Sequence, residues 1–127
     1  MSYTSQVVDH FAHPRHAGAL AQPSAVAELS NPVCGDVIKL WIRAEMGRVT
    51  AASFQAEGCV PALACGSWLA EWISSGRSLQ EARSLTPEDV EAGLSGLPAA
   101  SKHAAQLAIE VLHKALALLD QRGAPQH

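Results

Sequence analysis

Asp36-Val37-Ile38-Lys39-Leu40-Trp41-Ile42-Arg43-Ala44-Glu45, then Met46-Gly47-Arg48, then Val49-Thr50-Ala51-Ala52-Ser53-Phe54-Gln55-Ala56-Glu57, is the stretch whose reading decides the fold. Ile38, Leu40 and Ile42 alternate with Val37, Lys39, Trp41 and Arg43, the two-residue period of a half-buried strand. Met46-Gly47-Arg48 turns the chain, and a second run through Val49, Ala51 and Phe54 returns it toward Glu57. A hairpin brings its two open ends together. Cys34, just before it, and Cys59, just after it, are therefore expected at the same end of a sheet despite their distance in sequence.

Helical patterns flank the hairpin. Val7, Val8 and Phe11 lie at helical spacing between Thr4 and Ala12, and Pro14 stops that segment. Ala25 to Ser30 can form a further strand before the turn-prone Asn31-Pro32. Beyond Cys59, Pro61 suits a first helical turn, and Ala62, Cys65, Gly66, Leu69, Trp72 and Ile73 share one face until Gly76. Ser78-Leu79-Gln80-Glu81 has the pattern of a capping box, and Thr86-Pro87-Glu88-Asp89 opens another short helix. Lys102-His103 opens a long last helix, whose stripe of Ala104, Leu107, Ala108, Val111, Leu112, Ala115, Leu118 and Leu119 ends before Gly123. These elements imply one α+β domain over residues 1–127, a small antiparallel sheet covered by several helices, with a flexible tail at 124–127.

Composition narrows the function. A chain of 127 residues with 48% hydrophobic content supports one core and leaves no room for a second domain. A formal charge of −3, with nine basic residues spread along the chain, offers no footprint for nucleic acid and no basic cluster for a membrane surface. No apolar run approaches a bilayer span, and no basic segment followed by an apolar core opens the chain, so a cytoplasmic setting is expected. Three cysteines are an odd number for a disulfide framework and point to metal binding or free thiols.

Four residues carry the chemistry. Cys34 and Cys59 offer soft thiolates, Asp36 a hard and exchangeable oxygen, and His103 an imidazole at the start of the last helix. The helix that begins after Cys59 should favour its thiolate through unpaired amides. Each residue has an ordinary structural explanation, as a small core residue, a solvated turn carboxylate or a surface histidine. Cys65 sits on an apolar helical face and is expected to be buried rather than to ligate. Trp68 and Trp72, four residues apart, suit helix packing or a partner surface.

The chain resembles the U-type iron–sulfur cluster assembly scaffolds, the IscU and NifU N-terminal-domain family, from Tyr3 to about Leu119. The resemblance is carried by Val7-Val8-Asp9-His10-Phe11, His13-Pro14-Arg15, Gly58-Cys59, Glu71-Trp72, Leu97-Pro98 and most specifically Asn31-Pro32-Val33-Cys34-Gly35-Asp36. It implies a three-stranded sheet and a site in which three cysteines, helped by an aspartate or histidine, hold the cluster or zinc. Cys34 and Cys59 match the first two cysteines, Asp36 the aspartate and His103 the histidine before the third. The third cysteine position is Ala104.

The same resemblance implies sulfur delivery by a cysteine desulfurase, assembly of a 2Fe–2S unit with iron, and its transfer to acceptor proteins. A dedicated chaperone pair is implied by a Leu-Pro-Pro-Val-Lys segment, which here reads Leu97-Pro98-Ala99-Ala100-Ser101. The alternative is a zinc-binding regulatory relative in which Cys34, Asp36, Cys59 and His103 close a four-coordinate site. An enzyme with Cys59 as nucleophile and His103 as base would need an oxyanion motif that the chain lacks, so no catalytic role is expected.

Overall fold

In a computed structural model that describes residues 3–123, Ile38, Leu40 and Ile42 are fully buried, as the alternation requires. They lie on β2 (Asp36–Glu45), between β1 (Ala25–Asn31) and β3 (Arg48–Glu57), in an antiparallel sheet ordered β1-β2-β3. The register pairs Asn31 with Asp36 across the first turn and Val37 with Glu57 at the open end of the hairpin. β3 departs from the expected pattern. Its inward residues are Val49, Ala52 and Phe54, not Ala51, because a register shift at Arg43/Ala44 inserts a bulge that reverses the alternation beyond Val49.

One face of the sheet carries the helices α1 (Ser5–Ala12), α2 (Val60–Ile73), α3 (Leu79–Ser84), α4 (Pro87–Gly93) and α5 (Lys102–Gly123), with a short 3₁₀ turn at Ala99–Ser101. The core forms where α2 meets β3, where α5 meets β1 and β2, and where α2 meets α5. It contains Cys65, Leu69 and Ile73 from α2 and Ala108, Val111, Leu112 and Ala115 from α5. Gly66 lets α2 sit against the Phe54 ring, since a Cβ there would lie 2.6 Å from it. On the opposite face, Trp41 is nearly covered, with the Lys39 ammonium 5.0 Å from its ring centroid.

The outer edge of β3 is not left open. Phe54 N–H donates to the His16 carbonyl and Gly18 N–H to the Phe54 carbonyl, while Val49 N–H donates to the Arg77 carbonyl. Short helices at this border are held by local capping. Ser78 with Glu81 and Thr86 with Asp89 both form reciprocal capping boxes, the first of them expected from sequence.

α1 buries only part of the set its apolar spacing suggested, Val7, and adds His10 in place of Val8 and Phe11. Val7 and His10 are inward, whereas Val8 and Phe11 remain 51% and 42% exposed. A buried imidazole is tolerable here because its Nδ1 meets Ser67 Oγ of α2 at 2.8 Å and its Nε2 faces Glu71 at 3.8 Å. The expected tail at 124–127 lies outside the described residues. Among the described residues no helix is long and apolar enough to cross a membrane.

Candidate metal centre

Asp36 is the first residue of β2 and is 1% exposed, although carboxylates avoid burial unless they are fully partnered. Its partners come from two other elements. Oδ1 accepts the Cys59 backbone N–H at 3.0 Å, while Oδ2 accepts the Cys59 thiol at 3.2 Å and faces His103 Nε2 at 3.1 Å. A carboxylate oxygen can only accept from an imidazole, so in this contact Nε2 is the donor. Asp36 therefore ties the entry of β2 to the first residues of α2 and α5.

Gly58 makes this approach possible. A Cβ there would stand 2.1 Å from Asp36 Oδ1, and the backbone φ of +125° is one that L side chains rarely adopt. The Gly58-Cys59 pair is thus one device: the first residue leaves room for the carboxylate and the second bonds to it twice.

Cys34 lies in the turn between β1 and β2, exposed, beside Val33, which is 92% exposed. That turn is pinned by Gly35 N–H donating to the Asn31 carbonyl and Val33 N–H donating to Asn31 Oδ1. One ligand-capable atom each from Cys34, Asp36 and His103 lie within 4.8 Å of one another. Cys59 joins them through its thiol contact to Asp36. All four residues singled out from sequence are brought to one end of the sheet, two from its strand entry, one from the start of α2 and one from the start of α5.

The environment of Cys59 reverses one expectation. It is the N-cap of α2, and the amide of Ala62 does favour its thiolate, but burial and the adjacent Asp36 carboxylate outweigh that and push the thiol pKa up. Cys59 is held as a protonated donor to Asp36. Cys65, fully buried in the core, has its thiol driven further up by burial. Ala104, the residue after His103, is completely buried and adds no donor. Lys102 anchors the start of α5 through an ion pair to Glu91 at 2.8 Å, which holds its ammonium pKa above the ordinary value.

Two parts of the site were not read from sequence. The role of Asp36 as a buried hub depends on β2 starting beside α2 and α5, which no spacing reveals. Gly58 carried a signal, a glycine directly before a candidate thiolate, but its steric meaning appears only when Asp36 stands against it.

A small three-stranded antiparallel sheet backed by helices gathers two thiols, a carboxylate and an imidazole at one end, a donor set suited to a metal ion or a cluster. The model of the NifU-like N terminal domain matches residues 2–124, and the chain belongs to that family. Among its relatives, the iron-sulfur cluster assembly scaffold protein IscU 1 of Archaeoglobus fulgidus is 34% identical over 114 residues, covering 90% of this chain and 74% of that one. The nitrogen fixation protein NifU of Cereibacter sphaeroides is 42% identical over 119 residues, 94% of this chain and 48% of the longer relative. The crystal structure of a NifU-like N-terminal protein from Brucella abortus shares the fold, with a TM-score of 0.73, 18% identity and coverage of 92% and 93% of the two chains.

Proposed function

We propose that this protein is an iron–sulfur cluster assembly scaffold or carrier, which binds iron and a 2Fe–2S unit as cargo through Cys34, Asp36, Cys59 and His103. The carrying observation is the Asp36 hub, which holds the Cys59 thiol and the His103 imidazole on one carboxylate oxygen within reach of Cys34. Two thiols with two nitrogen or oxygen donors suit a cluster that must be released, because mixed ligation is softer in hold than four thiolates. The cargo draws Cys59 into its thiolate form, which requires the proton now shared with Asp36 to leave. Exposure of Cys34 gives cargo a route in and out, while the buried Asp36 fixes the geometry.

The protein would receive sulfur from a cysteine desulfurase and pass its cluster to acceptor proteins, acting as a holder rather than an enzyme, in the cytoplasm. The curated scaffolds among its relatives support this reading. No chaperone contact is assigned. Ala99 and Ala100 are exposed in the 3₁₀ turn after Pro98, where the resemblance would place a second proline and a nearby lysine.

Zinc is the second occupant that this donor set fits, since two thiolates, one carboxylate and one imidazole make a tetrahedral shell without a third thiolate. Anaerobic reconstitution with iron and sulfide, followed by visible spectroscopy and metal and sulfide quantification on the same sample, separates the two. Cluster absorption with matching iron and sulfide, lost in Cys34→Ala and in Cys59→Ala, supports the scaffold. Zinc alone, with no cluster under any loading, rejects it in favour of the zinc-binding relative.

A further inference from the structure

His103 is the one donor that α5 brings to the centre, since Ala104 beside it is completely buried and offers none. Its ring has a single hydrogen-bond partner among the described residues, Asp36, met through Nε2 at 3.1 Å. No second hydrogen bond fixes the imidazole from its other side. Where the ring arrives is therefore set by where the first turn of α5 sits.

That turn is tied to α4 by charge. Lys102, the first residue of α5, holds its ammonium 2.8 Å from Glu91 Oε1. The two partners are unequally covered, with the lysine side chain 55% exposed and the glutamate only 16%. Lys102 is the one hydrogen-bond partner of the Glu91 carboxylate among the described residues. An ion pair wholly in water contributes little, but a mostly covered carboxylate stripped of its cation is costly. α4 is itself firmly seated, since Val90, next to Glu91, is fully buried and the Leu94 carbonyl at the helix end accepts the Thr4 hydroxyl. The charge of Glu91 also reaches the core thiol of Cys65, as do those of Cys59 and Asp36, which places the pair at the same end of the core as the centre.

We propose that Lys102 and Glu91 are positioning residues for the centre, their ion pair clamping the first turn of α5 to α4 and so aiming His103 at Asp36 and at the cargo. The inference rests on the four-residue site proposed above and not on which cargo it holds. Ligating side chains work only when their supporting residues keep them within about 0.5 Å of the productive geometry. With no third thiolate from α5, an error in the seat of that turn falls wholly on the imidazole.

The test uses the whole protein, ¹⁵N-labelled in its histidine rings, first without metal. Wild type and Lys102→Arg, which keeps the cation, should show a protected His103 Nε2 proton. In Lys102→Met, which keeps much of the stem and loses the charge, and in Glu91→Gln that signal should broaden or vanish by exchange. Zinc affinity, read by competition with a chromophoric chelator, should fall about tenfold in both neutral variants and stay near wild type in Lys102→Arg. In a His103→Ala background, which retains Cys34, Asp36 and Cys59, Lys102→Met should change zinc affinity by about twofold or less, because the pair acts through the imidazole. An equal loss in that background would mean that the pair merely supports the fold, and overturns the proposal. A protected ring proton and unchanged zinc affinity in the neutral variants would overturn it as well, and Glu91→Gln decides if Lys102→Met fails to fold. If wild type itself takes up no zinc, the four-residue site is what fails, and the ring spectra without metal still decide the role of the pair.

Discussion

At Asp36 a single buried carboxylate organises what the neighbouring residues can do. Its two oxygens are shared among three donors, so any change in its position disturbs Cys59 and His103 together. Gly58→Ala should act through that carboxylate, since the new methyl group would coincide with Oδ1 in a backbone conformation hostile to side chains. A loss of about 2 kcal/mol in urea unfolding is expected from the strained backbone, together with metal loss comparable to Asp36→Ala. Unchanged metal content in Gly58→Ala would show that the hub is dispensable. Ala104 leads to the opposite kind of change. Ala104→Cys places a third thiolate next to His103, and the reconstituted cluster of the variant should decay more slowly than wild type under identical anaerobic conditions. Equal decay rates would mean that another ligand already completes the site, and Cys65→Ala would then be the variant to compare. Cys34, Asp36, Cys59 and His103 were legible as chemistry-bearing residues in the sequence. What was not legible was the protonated, partly covered state of Cys59, because burial and a facing carboxylate outweigh its helix terminus.

The joint between α1 and α2 shows how an element can be held by one polar contact. His10 is buried with Ser67 at its Nδ1, and Ser67 Oγ also accepts the backbone N–H of Arg15 at 2.8 Å, closing α1 and the following turn onto α2. Burial, and then the Arg15 charge, lower the His10 pKa below its ordinary value of 6.5, against the opposing pull of Glu71 and Asp9. A histidine whose folded pKa is depressed is neutral in the native state and protonates more readily when unfolded. Its contribution is therefore fully present above about pH 6.5 and is lost as the pH falls through the lower folded value. Urea unfolding measured from pH 8 to pH 5 should show stability declining across that window, with a shallower decline in His10→Gln. Identical slopes for the two proteins would remove His10 as the cause. This contact escaped sequence reading because periodicity groups Val7 with Val8 and Phe11 and gives His10 no place on the inner face, and only the presence of Ser67 opposite makes burial of the imidazole acceptable.

For the whole molecule, the centre is a three-way joint between the entry of the sheet and the starts of two helices, so an occupant cross-links elements distant in the chain. Zinc that binds the native state alone should add about 2.7 kcal/mol at a free concentration one hundred times its Kd. For a domain of this size that is a rise in Tm of roughly 10 °C. A chelator should reverse the rise, and the double variant carrying Cys34→Ala and Cys59→Ala should not show it. A rise of the same size in that variant would place the bound zinc elsewhere on the surface.

Local pattern was sufficient for the hairpin, the helix after Cys59, the Ser78 capping box and the long apolar stripe of the last helix, because two-residue and 3.6-residue periods are written directly into neighbouring positions. It was also sufficient to bring Cys34 and Cys59 toward one end of the sheet, since a hairpin has only one open end. Tertiary structure alone decided the bulge that moves Ala52 inward, the burial of His10 and the seating of Asp36 between Gly58, Cys59 and His103. Each of these depends on which groups from remote segments arrive within hydrogen-bond distance, and the free energy of burying a polar side chain is set by those arrivals rather than by its neighbours in the chain.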